Sequence, residues 1–296
     1  MKHIIYILLF VVFSGYSQND ALYERLQVLQ NKSTTFYNID GYTITKEVYN
    51  YEFSEKNIKK VTRKYKIKRN DKKSSMDEIG RKNIFVHKQK EIAPNLIRHA
   101  TYYFIENDDK TITVIWFSQM NIKDVAFEKK MIAVILADAI PKKCYTTMEP
   151  DYINFAGRNI QRDESCFWTN LNTIQCSYNG EMNWSVHKDL KSAQNSINAQ
   201  KGVTLAKKGV RIASEETVPI IFEGQETEAL KIVFSFKGVK SILAGLAQGE
   251  TITAYYVATK VRGNYVSCVL SHWNNDNITE GGLTALLEEV MRLKPE

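Results

Sequence analysis

The sequence predicts an α+β fold in which antiparallel hairpins are covered by helices, arranged as two similar halves that each end in a strand–strand–helix unit. Three observations carry this expectation. Thr251–Lys260 and Asn264–Trp273 are rich in Tyr, Val, Ile and Thr and break at Val261-Arg262-Gly263, where glycine supplies the positive φ of a tight hairpin turn. Leu283, Leu286, Leu287 and Val290 then follow at helical spacing. Sliding the chain against itself by 153 residues sets Tyr102 and Tyr103 on Tyr255 and Tyr256, Ser118 on Ser271 and Asn121 on Asn274. At an offset of 151, Ile132, Ile135, Leu136 and Ala139 fall on the four residues of the C-terminal apolar stripe. Few positions are identical, so two unrelated strand–strand–helix units would give the same pattern. No regular β-α-β alternation is visible, which argues against a parallel doubly wound sheet.

Taken in order, residues 1–17 have the form of a secretory signal peptide: Lys2, the apolar run Ile4–Phe13, and the small residues Gly15 and Ser17. The run is short of the roughly 20 residues a spanning helix needs. The mature chain is then expected as a first half over 18–143 and a second over 144–296, or as one continuous domain. Asp20 can cap a short helix carrying Leu22, Leu26 and Leu29. Tyr42–Phe53 and Ile58–Arg69 read as a hairpin around Ser54–Asn57. Asp71–Ala93 is left open: Ser74–Arg81 can begin a helix, while Ile84–Val86 reads as a strand. The first strand–strand–helix unit turns at Asn107–Lys110, and Pro141 and Pro150 punctuate the boundary. Tyr152–Gln161, Cys166–Tyr178 and Glu181–His187 read as short strands before a weakly amphipathic helix over Asp189–Gln200. Ile212–Phe222 and Glu228–Lys237 form a further hairpin, and Val239–Ala247 a helix leading into the last unit.

The net charge of +7 is concentrated. Lys56–Lys73 holds ten Lys or Arg against the single acid Asp71, a surplus larger than that of the whole chain. With Ile58–Arg69 taken as a strand, Val61, Tyr65 and Ile67 share one face while Lys60, Lys64, Lys66 and Lys68 share the other. Such a face either keeps an edge strand soluble or meets an anionic partner. All four cysteines follow the signal segment, where disulfides form and persist. Cys166 and Cys176 lie symmetrically about Leu171 and are expected to face each other across a hairpin; spacing says nothing about Cys144 and Cys268.

No motif specifies a reaction. The glycine-rich phosphate loops, HExxH, GxSxG and CxxC are absent, so no cofactor or metal site is expected. Two stretches, Glu181–Asp189 and Ser271–Asp276, each place a His, a Trp and a carboxylate at a strand end. Trp184, His187, His272 and Trp273 are therefore the candidate ligand-binding residues, against the simpler reading of packed indoles and hydrogen-bonded surface imidazoles. Cys268 and His272 share a strand face, yet four residues separate them by about 13 Å, too far for direct activation. The sequence points to an exported binding or interaction protein, secreted or periplasmic. Its expected partner is an anionic cell-surface polymer or another envelope protein rather than nucleic acid. The alternative is a hydrolase or metal-dependent enzyme whose site gathers the two His-Trp stretches.

Overall fold

The computed structural model describes residues 21–236 and 250–294. The expected signal segment, the expected Asp20 cap and the helix expected at Val239–Ala247 lie outside the described residues. The described residues begin with a helical turn over 21–23, shorter than the helix expected to carry Leu22, Leu26 and Leu29, since Leu29 already lies in a strand; an antiparallel meander of β1 (Gln27–Asn31), β2 (Thr34–Ile39) and β3 (Tyr42–Tyr49) follows. Helix α1 (Glu55–Lys64) crosses over to a second meander, β4 (Asn83–Ala93), β5 (Leu96–Glu106) and β6 (Ile112–Met120). Strand β6 returns to pair with β3, helix α2 (Val125–Leu136) follows, and β7 (Tyr145–Thr146) adds to β1, giving the order β4-β5-β6-β3-β2-β1-β7.

The second part repeats this route. After the separate hairpin β8 (Tyr152–Phe155) and β9 (Arg158–Gln161) comes a meander of β10 (Cys166–Asn170), β11 (Thr173–Cys176) and β12 (Gly180–His187). Helix α3 (Leu190–Leu205) crosses to β13 (Val210–Phe222), β14 (Gln225–Phe236), β15 (Thr251–Val261) and β16 (Asn264–Trp273). Strand β16 pairs with β12 as β6 pairs with β3. The one-turn helix α4 (Ala285–Glu288) and edge strand β17 (Met291–Leu293) complete the order β10-β11-β12-β16-β15-β14-β13-β17.

The expected α+β class is therefore corrected: the described residues are β-rich, 49% strand and 20% helix. Part of the reason lies in the strands. Residues 83–93 are one long strand, and β13 and β14 run 13 and 12 residues. The closing helix also shrinks. Leu283, Leu286, Leu287 and Val290 are all buried, but one helical turn is enough to bury them, and Met291–Leu293 pairs with β13 instead of extending the helix. Nor do the helices form one covering layer. In β5, Tyr102 and Phe104 pack with Ile58 and Val61 of α1, whereas Tyr103 and Ile105 pack with Met131, Ile132 and Ile135 of α2, so the two helices lie on opposite faces.

The basic strand is corrected too, because Glu55–Lys64 is a helix. Ser54 caps it by accepting from the Asn57 N–H at 3.4 Å. Ile58, Val61, Thr62 and Tyr65 form one inward stripe at i, i+3, i+4 and i+7, while Arg63, exposed, interrupts the alternation a strand would need. Lys60 and Lys64 share the helix surface, with their ammonium groups 4.1 Å and 4.3 Å from the Tyr51 and Tyr49 ring centroids. Lys66 lies beyond the helix at φ 54°, and the Lys68 N–H donates to Asp71 at 2.8 Å. The four lysines do not form one strand face.

Cys166 pairs with Cys176 in the β10–β11 register and is bonded to it. In the chain-entropy account a loop of that size contributes about 2–3 kcal/mol. Cys144 and Cys268 are buried free thiols. Among the described residues, no helix is long and apolar enough to cross a membrane.

Candidate ligand-binding cleft

The two faces of the eight-stranded sheet differ in chemistry, and β12 shows why. Met182, Trp184 and Val186 point into an apolar core shared with the β8–β9 hairpin and α4. Glu181, Asn183, Ser185 and His187 alternate onto the other face, the one that α3 covers. Strand β16 divides the same way, with Val266, Cys268 and Leu270 in that core and Ser267, Val269 and Ser271 on the α3 side.

Helix α3 begins at an Asp189 cap that accepts from the Ser192 N–H at 2.7 Å. It lines the cleft with Ser192, Asn195, Ser196, Ala199 and Val203, a stripe at helical spacing that is mostly small or polar, while its Ile197 packs beside the cleft on Ile232, Phe234, Ala254 and Tyr256. The layer is filled at Ile197 and left open along the stripe. A cavity of about 500 Å³ remains between α3 and the sheet. The first part of the chain has the same crossover helix in the same topological position. There α1 fills the layer with Ile58 and Val61 against Tyr102, Phe104 and Val114.

Its walls are unlike. On the β14–β16 side lie Phe234, Ile252, Ala254, Tyr256 and Val269; on the β11–β12 side lie Asn172, Thr173, Asn183 and Ser185. Asn172 donates to the Ser185 hydroxyl at 3.1 Å, and that hydroxyl donates to Asn38 at 2.9 Å. The first sheet closes one end through its β2–β3 turn. The Asp40 N–H donates to the Val186 carbonyl at 3.0 Å, and Gln119 Nε2 donates to the Asp40 carbonyl at 3.1 Å. Asp40 itself is clamped by Arg25 at 2.9 Å and 3.2 Å. The turn needs Gly41 at φ 78°, where a Cβ would also lie 3.2 Å from the His187 ring.

Glu181 and Lys207 are the charged groups of chemical interest. Burial pushes the Glu181 carboxyl above the usual carboxylate range, with Lys207 acting in the opposite direction. Among the described residues Glu181 has no hydrogen-bond or ion-pair partner, and in the β12–β16 register it stands opposite Ser271.

None of the four sequence-predicted site residues lines this cleft. Trp184 is fully buried in the opposite core, 5.6 Å from Phe155 and 5.8 Å from Trp168 between ring centroids. His187 is buried beside the cleft, its Nε2 2.8 Å from the Ser267 hydroxyl, which donates to Ser196 at 3.3 Å. Burial pushes this imidazole down to about 4. His272 lies on the Trp184 face against Tyr255, its Nδ1 3.1 Å from the Trp273 carbonyl oxygen. Trp273 packs on Phe236 at 5.6 Å.

The two histidines do not meet. His187 pairs with Tyr265, seven residues from His272 along β16 and on the other face, about 23 Å away at ~3.3 Å per residue. The two stretches do touch, but through Glu181 and Ser271. The overlooked signal was the alternation Glu-Met-Asn-Trp-Ser-Val-His together with the polar stripe of α3; it marks a polar face that a helix covers.

No protein-family model matches the chain, and no curated protein matches it. Among solved structures, it is similar at 7% identity to DynU16, a putative protein in the dynemicin biosynthetic locus, over 85% of this chain and 76% of that one, with a TM-score of 0.18. It is similar at 10% identity to the di-domain ARO/CYC StfQ from the steffimycin biosynthetic pathway, over 83% of this chain and 72% of that one, with a TM-score of 0.16. At those TM-scores neither neighbour informs the fold or the function of this chain.

Proposed function

We propose that this is an exported binding protein, secreted or periplasmic, which holds a small amphipathic ligand between α3 and the eight-stranded sheet. The observation that carries the reading is the contrast between two crossover layers, one filled with apolar side chains by α1 and one only partly filled by α3, whose Ile197 packs beside the open space. A concave site of this size, with one apolar wall and one wall of amides and hydroxyls, suits a ligand that has both characters. The signal-peptide pattern and the Cys166–Cys176 bridge support export. Replacing Ala199 by Trp puts an indole into the cleft from the helix side. Titrated with the uncharged fluorophore N-phenyl-1-naphthylamine, the variant is expected to bind at least about tenfold more weakly than the parent while unfolding at the same temperature. Unchanged affinity would remove the cleft from consideration.

A second reading rests on a separate observation. Lys56, Lys59, Lys60, Arg63 and Lys64 of α1 are all exposed, and none forms an ion pair among the described residues. This helix surface can dock an anionic polymer. Changing Lys60 and Lys64 to Gln should lower the salt concentration that elutes the protein from immobilised heparin, since such attraction is screened by ions. Elution of parent and variant at one salt concentration would reject the docking role.

A further inference from the structure

We infer that the cleft selects a ligand carrying a protonated amine on an apolar body, with Glu181 as its counter-ion. The inference rests on the binding role proposed above and names the ligand's chemical class. It follows from accounting for the charges along the cleft. Of the acidic groups, Asp40 is neutralised by Arg25. Asp124 is occupied in capping α2, accepting from the Phe127 N–H at 3.0 Å. Glu181 is left over. Its carboxyl is partly buried and has no partner among the described residues, whereas Lys188 and Lys207 are exposed at the rim, where water already solvates them.

A carboxylate taken out of water without a partner is costly, and a bound ammonium removes that cost through a charge-assisted hydrogen bond. An anionic ligand would add to the cost. The position of Glu181 also fixes the orientation of the ligand. Glu181 projects from β12 opposite Ser271 of β16, at the seam between the amide wall and the wall of Ala254, Tyr256 and Val269. An apolar body lying on the second wall brings its amine to that seam. Burial raises the affinity of Glu181 for a proton and the exposed Lys207 offsets this only in part, in agreement with a carboxyl that lacks a bonded cation.

The test uses the full chain and three naphthalene fluorophores of different charge at neutral pH: dansylcadaverine as the cation, N-phenyl-1-naphthylamine as the neutral body, and 8-anilino-1-naphthalenesulfonate as the anion. The cation is expected to bind about tenfold more tightly than the neutral probe, and the anion more weakly than either. In Glu181→Gln the ratio of cation to neutral affinity should fall to about one. The assignment is overturned if the cation fails to bind, if it has no advantage over the neutral probe, or if its advantage survives in Glu181→Gln. Ala199→Trp separates the two levels: if it removes the neutral probe while the cation shows no preference, the cleft stands and the amine does not. If it leaves every probe bound, the cleft itself is rejected.

Discussion

Replacing Trp184 by alanine is expected to lower the unfolding free energy by about 3–5 kcal/mol, the range for deleting a fully buried indole. Trp184 is 0% exposed and sits between Phe155 and Trp168 in the core on the face opposite α3. It also borders a partly open pocket of about 140 Å³ lined by Trp168, Leu171 and Val186. One feature lowers the net value of the indole. Its Nε1 is buried with no hydrogen-bond partner among the described residues. A Trp184→Phe variant keeps most of the ring and sheds that donor, and should lose less than half as much stability. Urea unfolding followed by far-ultraviolet circular dichroism measures both variants without relying on tryptophan fluorescence. A loss below about 1 kcal/mol for the alanine variant would contradict the placement of Trp184 in a well-packed core. Because the core and the cleft lie on opposite faces of β12, Trp184→Phe should also leave naphthylamine binding intact, which a groove-lining tryptophan would not.

That separation shows where sequence reasoning held and where it failed. Local chemistry was legible. Gly263 marked the β15–β16 hairpin, and the symmetry of Cys166 and Cys176 about Leu171 marked β10–β11. Asp189 marked the start of α3. The failures came from periodicities that compete over short windows. In residues 58–67, Val61, Tyr65 and Ile67 suggest alternation while Ile58, Val61, Thr62 and Tyr65 suggest a helix. The Ser54 cap decides between them, because it satisfies a backbone donor that only a helix exposes. At the C-terminus a genuine helical stripe was read correctly as buried and wrongly as long.

The site was less legible than the fold for a physical reason. A His and a Trp near a carboxylate attract attention because those side chains often do chemistry, yet here the indole is core, and the two histidines are divided by the sheet. What opens the cleft is the reverse of a motif: beside Ile197, a helix stripe too small and too polar to reach the sheet and the first-part residues that face it. Serines and asparagines on α3 are individually ordinary. They gain meaning only beside α1, which occupies the equivalent crossover with isoleucine and valine.

His187 provides the second large effect, a loss of stability in mild acid. Its ring is 1% exposed, and burial holds its proton affinity down to about 4, against the ordinary imidazole value of about 6.5. Asp40 and Asp189 act to raise that value and Arg25 to lower it, and burial outweighs them. Between the two values the unfolded chain binds a proton that the folded chain refuses, so stability rises with pH. The contribution is complete above about pH 6.5 and is lost progressively on acidification, by about 3 kcal/mol at pH 4. Glu128 and Glu181 work in the opposite direction, since burial raises both carboxyls and their protonation favours the folded state in acid. The comparison must therefore be a difference between parent and variant. His187→Gln retains a polar group in reach of the Ser267 hydroxyl and cannot take up the proton. Urea unfolding at pH 7.5 and pH 4 should show the parent losing about 3 kcal/mol more than His187→Gln between the two conditions. Equal losses would mean that this imidazole is solvated in the folded protein. In that case the packing of the β2–β3 turn beside this ring, which leaves no room for a Cβ at Gly41, would have to be abandoned as well.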